Sequence, residues 1–223
     1  MQRFFDILFS TAAIVFLLPI LFLTCIVLRF TGEGEIFYIQ TRVGQHGKPI
    51  KILKFVTMLK NSPNIGTGTV TLKGDPRILP VGRFLRKSKI NELPQLINVL
   101  IGDMSLIGPR PQTQRCFQSF PESIHAKILS VRPGLSGLGS IVFRDEELML
   151  HDSTKAESFY DGVIMPYKGT LEEWYVNQNS LVTYFVLLFA TVWLLATKKI
   201  PLGWPVFSKM PVIPPELRKY IVK

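Results

Sequence analysis

A predominantly helical α+β body fastened to a membrane through its N-terminal segment is the fold class this sequence predicts. Three observations predict it: an uninterrupted apolar run near the N-terminus, a second apolar helical stretch at 181–196, and short extended segments between them. At 223 residues the chain accommodates one body with a proper core and appendages, not two large domains. Lysine and arginine number 26 against 16 carboxylates, and the resulting net charge of +10 implies an anionic partner. Nucleic acid, a phosphorylated small molecule and an acidic lipid surface all qualify, and the apolar anchor favours the last two. Cys25 and Cys116 are the only cysteines, so no disulfide framework or cysteine metal cluster can form, and a reducing cytoplasmic setting is expected.

Taken in order, residues 7–28 are almost entirely apolar. As a helix rising ~1.5 Å per residue they extend roughly 33 Å, enough to cross a hydrocarbon core of ~30 Å. Leu28-Arg29-Phe30 follows instead of a small-residue cleavage site, which argues against a cleaved signal peptide. Pro19, in the middle of the run, removes a backbone hydrogen bond and predicts a kink. Two readings stay open on these residues: a kinked helix that turns back, and a tilted single span that tolerates its proline. Residues 1–31 are expected to form this membrane segment and 32–197 the body of the protein.

Within the body, Glu35–Gln40 and Pro49–Phe55 read as extended segments joined by Gly44-Gln45-His46-Gly47, a small hairpin. Asn61–Gly74, rich in Gly, Thr, Ser and Pro, reads as a surface loop of the sort that covers substrates. Leu93, Leu96, Ile97 and Leu100 recur at helical spacing, closed by Gly102, with Pro94 suited to a first turn. The 181–196 stretch, short for a span, ends in Lys198-Lys199 and reads as an interfacial or packed helix. The proline-rich remainder, 198–223, is expected to be irregular.

Arg77, Arg83, Arg86, Lys87, Lys89, Arg110 and Arg132 concentrate positive charge in the central third, interleaved with Asp75, Glu92 and Asp103. Carboxylates among the cations suit a bound diphosphate and metal better than a nucleic acid groove, which they would repel. A solvated basic face is the competing reading. Asn91-Glu92 stands just before a helix start, near amides that favour phosphate. Phosphate-loop, dinucleotide-binding, zinc-protease and serine-hydrolase motifs do not occur, and His46, His125 and His151 lie far apart without cysteine partners.

Asp75-Pro76-Arg77, Gly82-Arg83-Phe84-Leu85-Arg86-Lys87, Glu92-Leu93-Pro94-Gln95-Leu96 and Gly102-Asp103-Met104-Ser105-Leu106-Ile107-Gly108-Pro109-Arg110-Pro111 form one long, specific run. Together with Arg3-x-x-Asp6, Gln40-x-Arg42-x-Gly44, Lys54-Phe55-x-Thr57-Met58, Arg132-Pro133-Gly134-x-Ser136-Gly137 and Tyr175-Val176, it resembles the bacterial sugar transferase family, the small polyprenyl-phosphate phosphoglycosyl transferases. The resemblance implies a monotopic enzyme whose N-terminal helix enters the cytoplasmic leaflet of the bacterial inner membrane, breaks at Pro19 and re-emerges on the same side. It implies magnesium, a UDP-sugar donor, a polyprenyl (undecaprenyl) phosphate acceptor, contact with membrane lipids and no nucleic acid partner. In the family an Asp-Glu pair acts with the metal, the aspartate taking the phosphosugar covalently before passing it on.

Carried over by position, the pair falls on Asn91 and Glu92, the active-site lysine on Lys54 and an active-site arginine on Arg144; Glu92 is expected to hold the metal, and Arg77, Arg110 and Arg132 are expected with Arg144 to bind substrate phosphates. Asn91 departs from the pattern, because a neutral amide oxygen is a poor nucleophile and a weaker magnesium ligand than a carboxylate. Leu18 stands where serine is usual, Val56 where a basic residue is common, Tyr184 where aspartate is usual. An unusual insertion between Arg144 and Lys168 opens with Asp145-Glu146-Glu147, of which Asp145 and Glu146 are candidates for the absent carboxylate. The expectation is an enzyme initiating a surface glycan; the alternative is a catalytically silent membrane scaffold of the same fold.

Overall fold

The first helix sets the frame. In the computed structural model, which describes residues 1–65, 71–72, 74–150 and 157–221, α1 runs unbroken from Gln2–Arg29. The break expected at Pro19 is not seen: the proline lies inside the helix, which continues for ten residues beyond it because the remaining backbone hydrogen bonds carry the turn past the missing donor. Asp6, Ser10, Thr24 and Leu28 are buried, with Ala13, Ile14, Leu21 and Cys25 partly so, at the three- and four-residue spacing of one helical face. Val15, Phe16, Leu18, Phe22 and Leu23 on the other face are exposed. Among the described residues this is the one helix long and apolar enough to cross a membrane.

The expected hairpin is present with shifted bounds. β1 (Phe37–Val43) pairs antiparallel with β2 (Pro49–Phe55), Tyr38 opposite Lys54 and Gln40 opposite Ile52. The strand extends past Gln40 because Thr41 and Val43 find partners in Lys51 and Pro49. His46 and Gly47, both at positive φ, close the turn.

α2 (Pro80–Ser88) ends at Lys89 in the left-handed region, a single tight turn over Ile90–Glu92 follows, and α3 (Gln95–Ile101) is stopped by Gly102 at φ 99°. A second sheet had no sequence signal: β3 (Ser105–Ile107) lies parallel to β4 (Gly134–Ser136). Here the two most recognisable runs cross. Gly108 N–H donates to Ser136 O at 2.9 Å and Gly134 N–H to Pro109 O at 2.8 Å. A Cβ on Gly134 would come within 2.1 Å of Gly108 N, so only glycine permits this approach.

Helices α4 (Gln114–Gln118), α5 (Glu122–Leu129) and α6 (Leu138–Val142) surround that crossing. A turn at Glu146–Met149, a wide turn at Tyr160–Ile164, α7 (Met165–Asn177) and α8 (Leu181–Thr197) complete the body. Val99, Met104, Ile107, Leu138, Ile141, Leu171, Tyr175 and Leu187 fill the core. The stretch from 198 onward departs from expectation, containing α9 (Pro205–Ser208) and α10 (Pro215–Ile221). Each begins on a proline, which has no N–H to lose at a first turn. Phe207, Leu217 and Ile221 are buried in the main core, and the Tyr167 hydroxyl donates to Pro211 O. Of the loop Asn61–Gly74, Ser62–Asn64 forms one tight turn, while 66–70 and 73 lie outside the described residues, as does His151.

Candidate active site

A cavity of about 630 Å³ opens between β2, the Ile90–Glu92 turn, the Glu146–Met149 turn and α8. The left-handed Lys89 turns the chain so that Asn91 and Glu92 both line it. Arg110, delivered by the glycine crossing, meets Glu92 with its fork: Nη2 to Oε1 2.5 Å, Nη1 to Oε2 3.2 Å. Such parallel charge-assisted bonds fix both partners. Burial alone would raise the Glu92 carboxyl, but Arg110, Lys54 and Lys89 outweigh it and hold it well below the usual range.

Lys54 faces this pair from β2. Burial pushes its ammonium down to about 7, against the pull of Glu92, and Arg42, Arg110 and Arg86 add repulsion. Arg144 also lines the cavity; its Nη1 donates to Leu194 O at 2.7 Å, and its Nε has no hydrogen-bond partner. Its own carbonyl accepts from Lys89 Nζ at 3.1 Å. Arg110, Lys54, Arg144, Asn91 and Glu92 are therefore brought together around one cavity.

Two predicted phosphate ligands are not. Arg77 is 4% exposed and does not line the cavity; its Nε and Nη2 hold Asp75, and its Nη1 donates to the carbonyls of Ser62 and Ile65. The arginine ties down the chain around Asp75, a role its residue type alone does not reveal. Arg132 is exposed and outside the lining, because its run contributes backbone to the crossing: Pro133 O accepts Ser105 N–H at 2.9 Å.

The insertion supplies carboxylates selectively. Glu146 and Glu147 line the cavity, whereas the Asp145 side chain is 64% exposed and lies outside it. Lys168, 2% exposed on α7, approaches Glu146 at 2.6 Å, and Arg86 pairs with Glu147. One helical turn from Lys168, the fully buried Glu172 accepts the Arg110 N–H at 3.2 Å; burial pushes its carboxyl up to about 7. Lys168 and Glu172 escaped sequence reasoning, although their four-residue spacing put both on one helical face.

Among the described residues no group of three or more His, Cys, Asp or Glu gathers to hold a metal. Asn91 Oδ1, however, is buried without a hydrogen-bond partner beside Glu92. Two oxygens fit a magnesium ion, which ordinarily takes one or two protein ligands and completes its shell with phosphates and water.

Fixed cations around a paired carboxylate beside an apolar wall, in a chain that also exposes a long apolar helix, suit a membrane-associated transferase of phosphate-bearing substrates. The chain belongs to the bacterial sugar transferase family, whose family model matches residues 1–198. The exopolysaccharide production protein ExoY of Sinorhizobium fredii is 31% identical over 205 residues, covering 86% of this chain and 83% of that protein. The UDP-glucose:undecaprenyl-phosphate glucose-1-phosphate transferase of Escherichia coli is 36% identical over 143 residues, 63% of this chain and 31% of that protein. The UDP-N-acetylgalactosamine-undecaprenyl-phosphate N-acetylgalactosaminephosphotransferase of Aeromonas hydrophila is 38% identical over 143 residues. The chain thus spans about a third of these last two relatives, 31% and 34% of their lengths.

Proposed function

We propose that this protein transfers a sugar 1-phosphate from a UDP-sugar to polyprenyl (undecaprenyl) phosphate on the cytoplasmic face of the bacterial inner membrane, initiating a surface glycan. The observation that carries the reading is the Glu92–Arg110 fork facing Lys54 inside one cavity. Lys54, Arg110 and Arg144 neutralise the phosphates, which repel one another when donor and acceptor meet. Glu92 keeps the Arg110 fork oriented and, with Asn91 Oδ1, would hold a magnesium ion. Magnesium, when bound, supplies further neutralisation of the diphosphate. Asn91 offers an amide in place of the carboxylate that a covalent step needs, and Glu92 is committed to the Arg110 fork and to the metal. The acceptor phosphate oxygen therefore attacks the sugar-bearing phosphorus directly, and the bond to the departing UMP breaks.

The packing of α1 supports a re-entrant anchor. Asp6, near its start, is buried against Ser105 and Leu106, while Leu28, near its end, packs on Phe55 and Leu85. A straight span would place those ends on opposite sides of a core ~30 Å thick.

The test is a panel of UDP-sugars with undecaprenyl phosphate and magnesium, followed by UMP release and intact mass. Release from one donor without an enzyme adduct, lost in Glu92→Gln, supports the reading. The neutral Asn91 favours the second reading, a silent scaffold, and absence of UMP from every donor would select it.

A further inference from the structure

The cavity has two chemically different ends. Lys54, Glu92 and Arg110 form the charged end. Across it stands α8, presenting Leu188, Thr191 and Leu195 at three- and four-residue spacing, with Leu194 beside them. The single hydroxyl on this wall is already engaged: Thr191 Oγ1 donates to Leu187 O at 2.8 Å and lies 2.8 Å from Ser136 Oγ. A uridine or sugar laid there would lose water and gain few hydrogen bonds. A hydrocarbon chain would lose nothing.

Arg144 stands where the two ends join. Its side chain is 10% exposed, Nη1 is anchored on Leu194 O, and Nε has no hydrogen-bond partner, Asp145 Oδ1 being 4.0 Å away. A guanidinium fixed against an apolar helix matches an amphiphile whose phosphate adjoins its hydrocarbon. Leu195 on this wall is itself exposed, and Phe189, Val192 and Trp193 are exposed on the same helix, so the wall runs out onto an apolar surface through which such a chain can arrive from lipid.

We propose that Arg144 and the Leu188–Thr191–Leu195 face of α8 form the acceptor subsite, holding the phosphate and the first isoprene units of a prenyl phosphate apart from the donor diphosphate. This rests on the transferase reading for the identity of the acceptor. Binding and turnover can be separated.

The full-length protein in nanodiscs is irradiated with farnesyl phosphate carrying a diazirine, and labelled peptides are mapped. Label within 181–197, reduced by unlabelled farnesyl phosphate, is expected. Leu195→Gln, at a position 47% exposed and tolerant of a polar residue, should raise the acceptor KM about tenfold while leaving the donor KM and melting temperature unchanged. Leu188→Gln should act in the same direction. Label confined to α1, or a shift in donor KM with the acceptor KM fixed, overturns the subsite. Label on α8 without transfer from any UDP-sugar would uphold the subsite and reject the transferase reading.

Discussion

The Tyr184 hydroxyl donates to Asp6 Oδ1 at 2.9 Å, joining the first helix to α8 across 178 positions of sequence. The same oxygen accepts from the Ser105 hydroxyl at 3.0 Å and Leu106 N–H at 2.9 Å, and Asp6 is 1% exposed. One carboxylate thus fastens α1 to β3 and, through β3, to the segment that carries Arg110.

Removing that carboxylate strands three donors, whereas removing the tyrosine hydroxyl removes one of three. Asp6→Ala should cost about 3 kcal/mol and Tyr184→Phe about 1 kcal/mol, from ~1–3 kcal/mol for unsatisfied buried groups and ~1 kcal/mol for a single bond. Denaturant titration in detergent checks the order. Equal losses would mean that Asp6 does not organise the junction.

Lys54 gives a pH signature. Burial takes its ammonium from the ordinary 10.5 down to about 7. Between these values the unfolded chain binds more protons than the native one, so this group's contribution makes stability rise with pH from about 7 to about 10.5. Donor recognition runs the opposite way, because the ammonium is the form that meets a diphosphate. Donor kcat/KM should fall as pH rises through about 7, and Lys54→Arg, charged throughout, should lack that limb. A limb that persists in Lys54→Arg would assign it to another group, Glu172 first.

The extent of legibility followed how far each signal depends on local pattern. The Leu181–Thr197 helix and the hairpin were readable because their periodicity or turn residues are local. The parallel β3–β4 pair was not, since three-residue strands carry no usable alternation and their partner lies nearly thirty residues away. The glycines that allow the crossing were legible as motif members, while their reason, backbone contact, emerged only in three dimensions. Charge type gave no sign that Arg77 and Arg132 stand outside the cavity, because burial against Asp75 and exposure beside the crossing are invisible in sequence. Conversely, Glu146 could be suspected from its neighbour Arg144, but its Lys168 partner required the fold.

Arg77 separates structural from catalytic arginines. Nη2 lies 2.6 Å from Asp75 Oδ2, and both side chains are nearly inaccessible. Arg77→Ala leaves Asp75 buried without its counter-charge, which typically costs about 3–5 kcal/mol. Arg77→Ala with Asp75→Asn should recover part of that stability, and the folded double variant should retain donor KM within about twofold. A large rise in donor KM at unchanged melting temperature would return Arg77 to the substrate site.

The anchor makes the last prediction. If α1 enters and leaves one leaflet as proposed, its ends share the cytoplasmic phase, and the burial of Asp6 and Leu28 against the body is in keeping with that. A cysteine at Gln2, which is partly exposed, should resist a membrane-impermeant maleimide added outside spheroplasts and react after permeabilisation. A second cysteine at Thr31, two residues past the helix, should give the same pattern. α1 already runs unbroken for roughly 42 Å over its 28 residues, and Pro19→Ala restores the backbone donor missing from its middle, stiffening it against any bend in the bilayer. It should therefore raise external labelling at Gln2 while Thr31 stays protected. Efficient labelling at Gln2 in the parent chain would establish a true span and remove the re-entrant anchor from the proposed function.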